Sequence, residues 1–228
     1  AIAPGKFTRY QKLLELLRSK EYGWNPADTG DRVVLFTERI ETMKYLAERL
    51  RQDLGLKADA IQEISGGMSD AEQQRIVEEF GRTESPVRVL VASDVASEGL
   101  NLHYLSHRLI HFDIPWSLMV FQQRNGRIDR YGQQQRPDIR YMLIESDNKR
   151  IKGDMHIIEI LITKEEQALK NIGDPSLLLG KFTIEDEELV VFEAIESGSD
   201  AESFEQALDT EEESFDPFEA LMTAASET

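Results

Sequence analysis

Short apolar runs recur along the first 145 residues, and stretches with helical spacing separate them. Val33-Val34-Leu35-Phe36 is the clearest, with Val87 to Ser93 and Arg108 to Phe112 close behind. Ala60 to Ile64 is weaker, and Ile139 to Ile144 reads as a fifth. A continuous apolar run of this length, without polar alternation, is a strand covered on both faces. Between the runs, Ile40, Met43, Ala47, Leu50 and Leu54 repeat at three to four residues, one face of a helix that Gly55 stops. Ser69-Asp70-Ala71-Glu72 has the form of a capping box and opens a helix to Phe80. Thr8-Arg9-Tyr10-Gln11 has the same form and opens a helix over residues 8–19. Ser117 can cap a helix running to about Arg130, and Asp154 to Ile172 reads as a long helix closed by Gly173 and Pro175. Strands alternating with helices predict an α/β fold, a mostly parallel sheet flanked by helices on both faces. Ligands of such sheets bind at the carboxyl ends of the strands. The segments after Phe36, Ile64, Ser93 and Phe112 are therefore the candidate site.

Charge divides the chain in two. The net charge is −17, yet no Lys or Arg follows Lys181, while residues 182–228 hold 16 acids. Residues 1–181 carry 27 acids against 26 bases, an ordinary globular balance. We expect a folded domain over 1–180 and an acidic linker or tail over 181–228, at most partly ordered. The tail reads either as a linker or as an acidic–aromatic segment, with Phe204, Phe215 and Phe218, that meets a protein partner or covers a nucleic-acid surface. Cysteine is absent, which excludes disulfides and thiolate metal sites. No run approaches the 18 apolar residues of a membrane span, so a cytoplasmic protein without membrane contact is expected. The start, Ala1-Ile2-Ala3-Pro4-Gly5, has neither the basic nor the apolar region of a signal peptide and lacks Met, and reads as a piece of a longer protein.

Two segments carry chemistry. Gln123, Arg127 and Arg130, placed on a helix at about 100° per residue, fall on one face. Two guanidiniums and an amide there suit a triphosphate, because the planar fork of arginine matches phosphate oxygens. The plain alternative is a solvated basic face. Upstream, Val89 to Leu102 is a buried strand ending in a Ser-Asp-rich loop with Gly99 and Asn101. Its hydroxyls and backbone N–H groups can bind a phosphate, Gly99 allows close approach, and Asn101 can reach a ribose hydroxyl. His103, His107 and His111 are spaced by four, but they fall in a loop and a strand, so helical metal ligation fails and no metal site is expected. Trp24 lies in a loop, where packing is the default reading.

In this order the segments resemble the second RecA-like domain of helicase superfamily two, nearest the Swi/Snf-like ATPases and their bacterial RNA-polymerase-recycling branch. Arg32 to Leu50 resembles motif IV of that family. Gly66, Arg75 and Phe80 resemble its Gly…Arg…Phe segment. Ser93 to Leu102 resembles motif V, Asp113-Ile-Pro-Trp116 the family's Asp-x-x-Trp, and Gln123 to Gln133 motif VI. Met155 to Asp174 resembles the helix that follows. The resemblance covers about residues 8–175. It implies that Arg127 and Arg130 are arginine fingers, that Gln123, Gly99 and Asn101 lie against ATP, and that Ser93, Thr37, Ser65 and Gly66 face a nucleic-acid strand. It also departs from the family: Trp-Asn-Pro is Trp116-Ser117-Leu118, a motif VI His is Asp129, its Ile is Tyr131, and the motif V Gly-Gly is Ser97-Glu98.

No Gly-x-x-x-x-Gly-Lys-Ser/Thr loop and no Asp-Glu-x-His motif occurs in the chain. The resemblance then implies ATP and Mg²⁺ held mainly by a preceding RecA-like domain in cis, with this chain as the second half of a DNA or RNA translocase and inactive alone. The rival expectation is a RecA-like interaction module that has lost catalysis. A Rossmann-like nucleotide domain is disfavoured by the missing Gly-rich turn after the first strand.

Overall fold

The computed structural model describes residues 7–94, 102–103, 106–144, 153–171 and 192, with side chains in the last helix described to residue 163. Five strands form one sheet: β1 (Val33–Thr37), β2 (Ile61–Ile64), β3 (Val89–Ser93), β4 (Arg108–His111) and β5 (Asp138–Tyr141). Their order is β2-β3-β1-β4-β5, and every pairing is parallel. Among the described residues five α-helices accompany them: α1 (Thr8–Arg18), α2 (Ile40–Asp53), α3 (Asp70–Phe80), α4 (Leu118–Asn125) and α5 (Asp154–Asn171).

The alternation of side chains along a strand makes the two cores. Val33 and Leu35 of β1 pack with Leu13, Leu17, Met43, Leu46 and Leu50 of α1 and α2. Val34 and Phe36 point the other way, into a core with Ile76 and Phe80 of α3 and with Ile128. Every β1 side chain is buried, as expected of a central strand. A third cluster joins α4 to α5 through Leu118, Phe121, Ile157, Ile160 and Leu161. The expected α/β architecture is present.

At the amino edge of the sheet, arginines bind the chain's own acceptors. Arg32, fully buried, donates to the carbonyls of Thr29 (3.1 Å), Glu79 (3.3 Å), Phe80 and Arg82. Two of these belong to the last turn of α3, whose carbonyls have no partner within the helix. Arg88 donates to the carbonyls of Pro26, Ser85 and Val87, and Arg108 to Tyr22 O and the Asp31 carboxylate.

Four local expectations are corrected. Ser69 forms the expected capping box with Glu72, but Phe7 is the cap of α1, with no side-chain bond; Thr8 is already helical, so its hydroxyl cannot cap. β3 begins at Val89 rather than Val87, and β5 ends at Tyr141 rather than Ile144, where Ile144 N turns to the Asp154 carboxylate (3.0 Å). Finally, α4 ends at Asn125 rather than Arg130. Gly126 is its C-cap, and the chain then turns so that Ile128 enters the core beneath the sheet. Trp24 is packed, with Nε1 donating to Asp31 O (3.1 Å). Apart from Phe192, the acidic segment lies outside the described residues.

Candidate nucleotide and nucleic-acid site

Parallel register brings hydroxyls from three neighbouring strands to one edge. Thr37 of β1 is the register partner of Ser93 of β3, and Ile64 of β2 pairs with Ala92, so Ser65 continues the row beside Ser93. All three residues are buried. Thr37 Oγ1 donates to Asp113 Oδ2, and Glu38 N donates to Asp113 Oδ1 (2.9 Å). Among the described residues, Ser93 Oγ is buried without a hydrogen-bond partner. Such a hydroxyl costs about 1–3 kcal/mol unless a ligand oxygen satisfies it. Ser65 O is held by Met68 N (3.1 Å) and Gln73 Nε2 (3.3 Å), which fixes the turn at Gly66.

At the same edge lies Arg124, whose role the sequence reading missed. It is fully buried, and grips the Asp94 carboxylate with Nε and Nη2, the latter at 2.6 Å. Nη1 donates to Asp113 O (2.9 Å), and Nη2 also reaches Asp113 Oδ1 (3.3 Å). Its guanidinium lies 5.7 Å from the Phe36 ring centroid. One side chain thus ties the ends of β1, β3 and β4. Helical spacing carried the signal: position 124 is three and four residues after Phe121 and Val120, on the buried face.

His111 completes the cluster. Arginine can only donate, so the 3.3 Å contact of Arg124 Nη1 makes His111 Nδ1 an acceptor. The ring proton therefore sits on Nε2 and is donated to Asn125 Oδ1 (2.8 Å). Burial first, and then the Arg124 charge, push the His111 pKa down to about 3. The neutral ring stacks on Tyr141 (4.8 Å between centroids) and Phe121 (5.6 Å).

The segment after α4 presents the other candidates. Gln123, on α4, and Arg127 are half-buried, while Arg130 is exposed. Because α4 ends at Asn125, the helical wheel does not describe the two arginines, which stand on a sequence of turns. Those turns are held from several sides. Leu102 N donates to Arg127 O (3.3 Å), linking the segment to the chain that follows β3. Gln133 Nε2 donates to Ser106 O and Ile128 O (both 3.0 Å), and Gly132 adopts a φ of +95°, which favours glycine. Gly99 and Asn101 lie outside the described residues. Among the described residues no group of three His, Asp or Glu is placed to hold a metal, and no helix is long and apolar enough to cross a membrane.

The sequence profile of the helicase conserved C-terminal domain matches residues 8–132, more than half of the chain. The chain belongs to that family. It is 30% identical over 144 residues to the RNA polymerase-associated protein RapA of Vibrio campbellii, a match covering 63% of this chain and 14% of that protein. With the protein of the same description from Vibrio vulnificus YJ016 it shares 33% identity over 113 residues, half of this chain and 11% of that one. The chain thus spans only a small part of the length of these relatives. Among solved structures it is similar to the C-terminal part of the Fun30 ATPase domain, at 19% identity and a TM-score of 0.49, covering 58% of this chain and 40% of that one. The helicase C-terminal fold is RecA-like, the architecture seen in this five-stranded parallel sheet.

Proposed function

We propose that the chain is the C-terminal motor half of an ATP-dependent, Swi/Snf-type DNA translocase in the cytoplasm. It supplies Arg127 and Arg130 to ATP held by a preceding RecA-like domain. The family match carries this reading, since it runs to residue 132 and takes in both arginines. Their placement supports it: Arg130 is exposed and Arg127 only half-buried, whereas Arg32 and Arg124 are fully buried in structural networks. A polyanionic ligand fits such a segment, because the planar fork of an arginine held on a braced turn outside the core matches phosphate oxygens.

ATP, with Mg²⁺ bound mainly by the preceding domain, supplies the transferable phosphoryl group. Arg127 and Arg130 offset the negative charge that develops on transfer, and Gln123 helps hold the nucleotide. Gly99 and Asn101 are assigned to its ribose and phosphate side. The Ser65-Ser93-Thr37 row, with Gly66, is assigned to phosphates of the nucleic acid. Contacts to phosphates position a strand without reading its sequence. DNA is the first choice of track and RNA the second. The similarity to RNA polymerase-associated relatives makes transcription complexes the partner to test first.

The test uses the full-length protein. Arg127→Ala and Arg130→Ala should each lower ATP turnover by about 10³-fold or more, as loss of an arginine finger does, with the thermal melt retained. The 228-residue chain alone should not turn over ATP. Near-normal rates in both variants would reject the finger assignment.

A further inference from the structure

Asp113 joins Thr37, which the proposed function gives to the nucleic acid, to Arg124, which adjoins the segment given to ATP. On one side its Oδ2 accepts the Thr37 hydroxyl proton and its Oδ1 accepts Glu38 N. On the other, Oδ1 and the backbone carbonyl accept from Arg124. A threonine hydroxyl has one proton. While that proton is donated to Asp113 it is not available to a phosphate oxygen. A phosphate that takes it removes one donor from the Asp113 carboxylate.

Arg124 is the neighbour able to respond. Its contact with Asp113 Oδ1 is 3.3 Å, against 2.6 Å to Asp94, so there is distance to close toward Asp113. It stands in the last turn of α4, and its carbonyl accepts Arg127 N (3.2 Å). A shift of Arg124 is therefore carried directly into the segment that bears Arg127 and Arg130. The Asp94 and Asp113 side chains are only 17% and 21% exposed, so water does little to screen the redistribution.

We propose that Asp113 and Arg124 are positioning residues that couple a nucleic-acid phosphate at Thr37 to the placement of Arg127 and Arg130. The proposal rests on the function proposed above. It assigns the pair no contact with either ligand.

The experiment measures ATP turnover of the full-length protein with and without a mixed-sequence DNA duplex, together with duplex affinity by fluorescence anisotropy and thermal melting. Asp113→Asn keeps the shape and removes the charge. It should lower the DNA-saturated kcat by about tenfold or more, as misplaced catalytic groups do. The KM for ATP and the Kd for the duplex should stay within about threefold, the pattern of an interaction lost only in the transition state. Arg124→Lys, which keeps the charge but not the fork, should show the same split. Full DNA stimulation in both variants overturns the proposal, and so does a wild-type protein that DNA does not stimulate. Parallel collapse of melting temperature, binding and turnover in both variants would show a merely structural role. The parent reading fails separately: turnover that survives Arg127→Ala rejects the fingers, whereas turnover lost in Arg127→Ala but fully stimulated in Asp113→Asn rejects only the coupling.

Discussion

His111 gives the site a measurable dependence on acid. In the unfolded chain its imidazole takes a proton near pH 6.5, and in the folded domain only at about 3. Between those values the unfolded state binds a proton that the folded state does not, so stability falls as pH drops below 6.5. At pH 5 the penalty is about 2 kcal/mol, from one and a half units at 1.36 kcal/mol each, and near neutrality it is almost nil. The figure at pH 5 is set by the unfolded pKa and does not change while the folded one stays well below 5. Urea denaturation at pH 7 and pH 5 would compare the chain with His111→Phe. Phenylalanine keeps a flat ring against Tyr141 and Phe121 but does not titrate. It also gives up the bonds to Asn125 and Arg124, so the variant should be less stable at both pH values. Its loss between pH 7 and 5 should nevertheless be smaller than that of the parent by about 2 kcal/mol. The rest of the chain is identical in parent and variant and cancels in the difference. Equal losses in parent and variant would refute a neutral, buried His111 as the acid-sensitive group.

Two further perturbations probe the scaffold. Arg32→Met removes donors from four carbonyls. Bonds to a charged donor contribute about 1.5–3 kcal/mol each, and relief of the buried charge offsets part of that. Burial already pulls the Arg32 pKa down to about 10. A net loss of about 3 kcal/mol should lower the melting temperature by roughly 6–12 °C, and a shift under about 2 °C would contradict the assignment. Ser69→Ala should cost about 1 kcal/mol by denaturant titration while Thr8→Ala costs under half that, since of these two only Ser69 caps a helix. The reverse order would show that the caps are misassigned.

Much of the sheet was legible because apolar runs and strand burial coincide. Val33 to Phe36 needs both of its faces covered, and that need alone implies helices on each side. Register followed less directly. That Thr37, Ser93 and Ser65 share an edge was inferable from a parallel topology, but that Thr37 is held by Asp113 was not, since 76 residues separate them. The end of α4 was misread because Arg127 and Arg130 have helical spacing. Gly126 and the burial of Ile128 outweigh that spacing. Arg124 was overlooked for a related reason. An arginine beside two others reads as one more surface cation, and only the positions of Val120 and Phe121 show that it points inward.

The amino-edge arginines bear on how this domain would respond to ionic strength. Arg32, Arg88 and Arg108 have their guanidiniums bound to the domain's own carbonyls and carboxylate. Cations held in this way neutralise no phosphates, so they displace none of the counterions condensed on a polyanion. If the Ser65, Ser93 and Thr37 hydroxyls hold a strand as proposed, it would dissociate only gradually as salt is added. Under the proposed function, a grip of that kind would tolerate a crowded electrolyte.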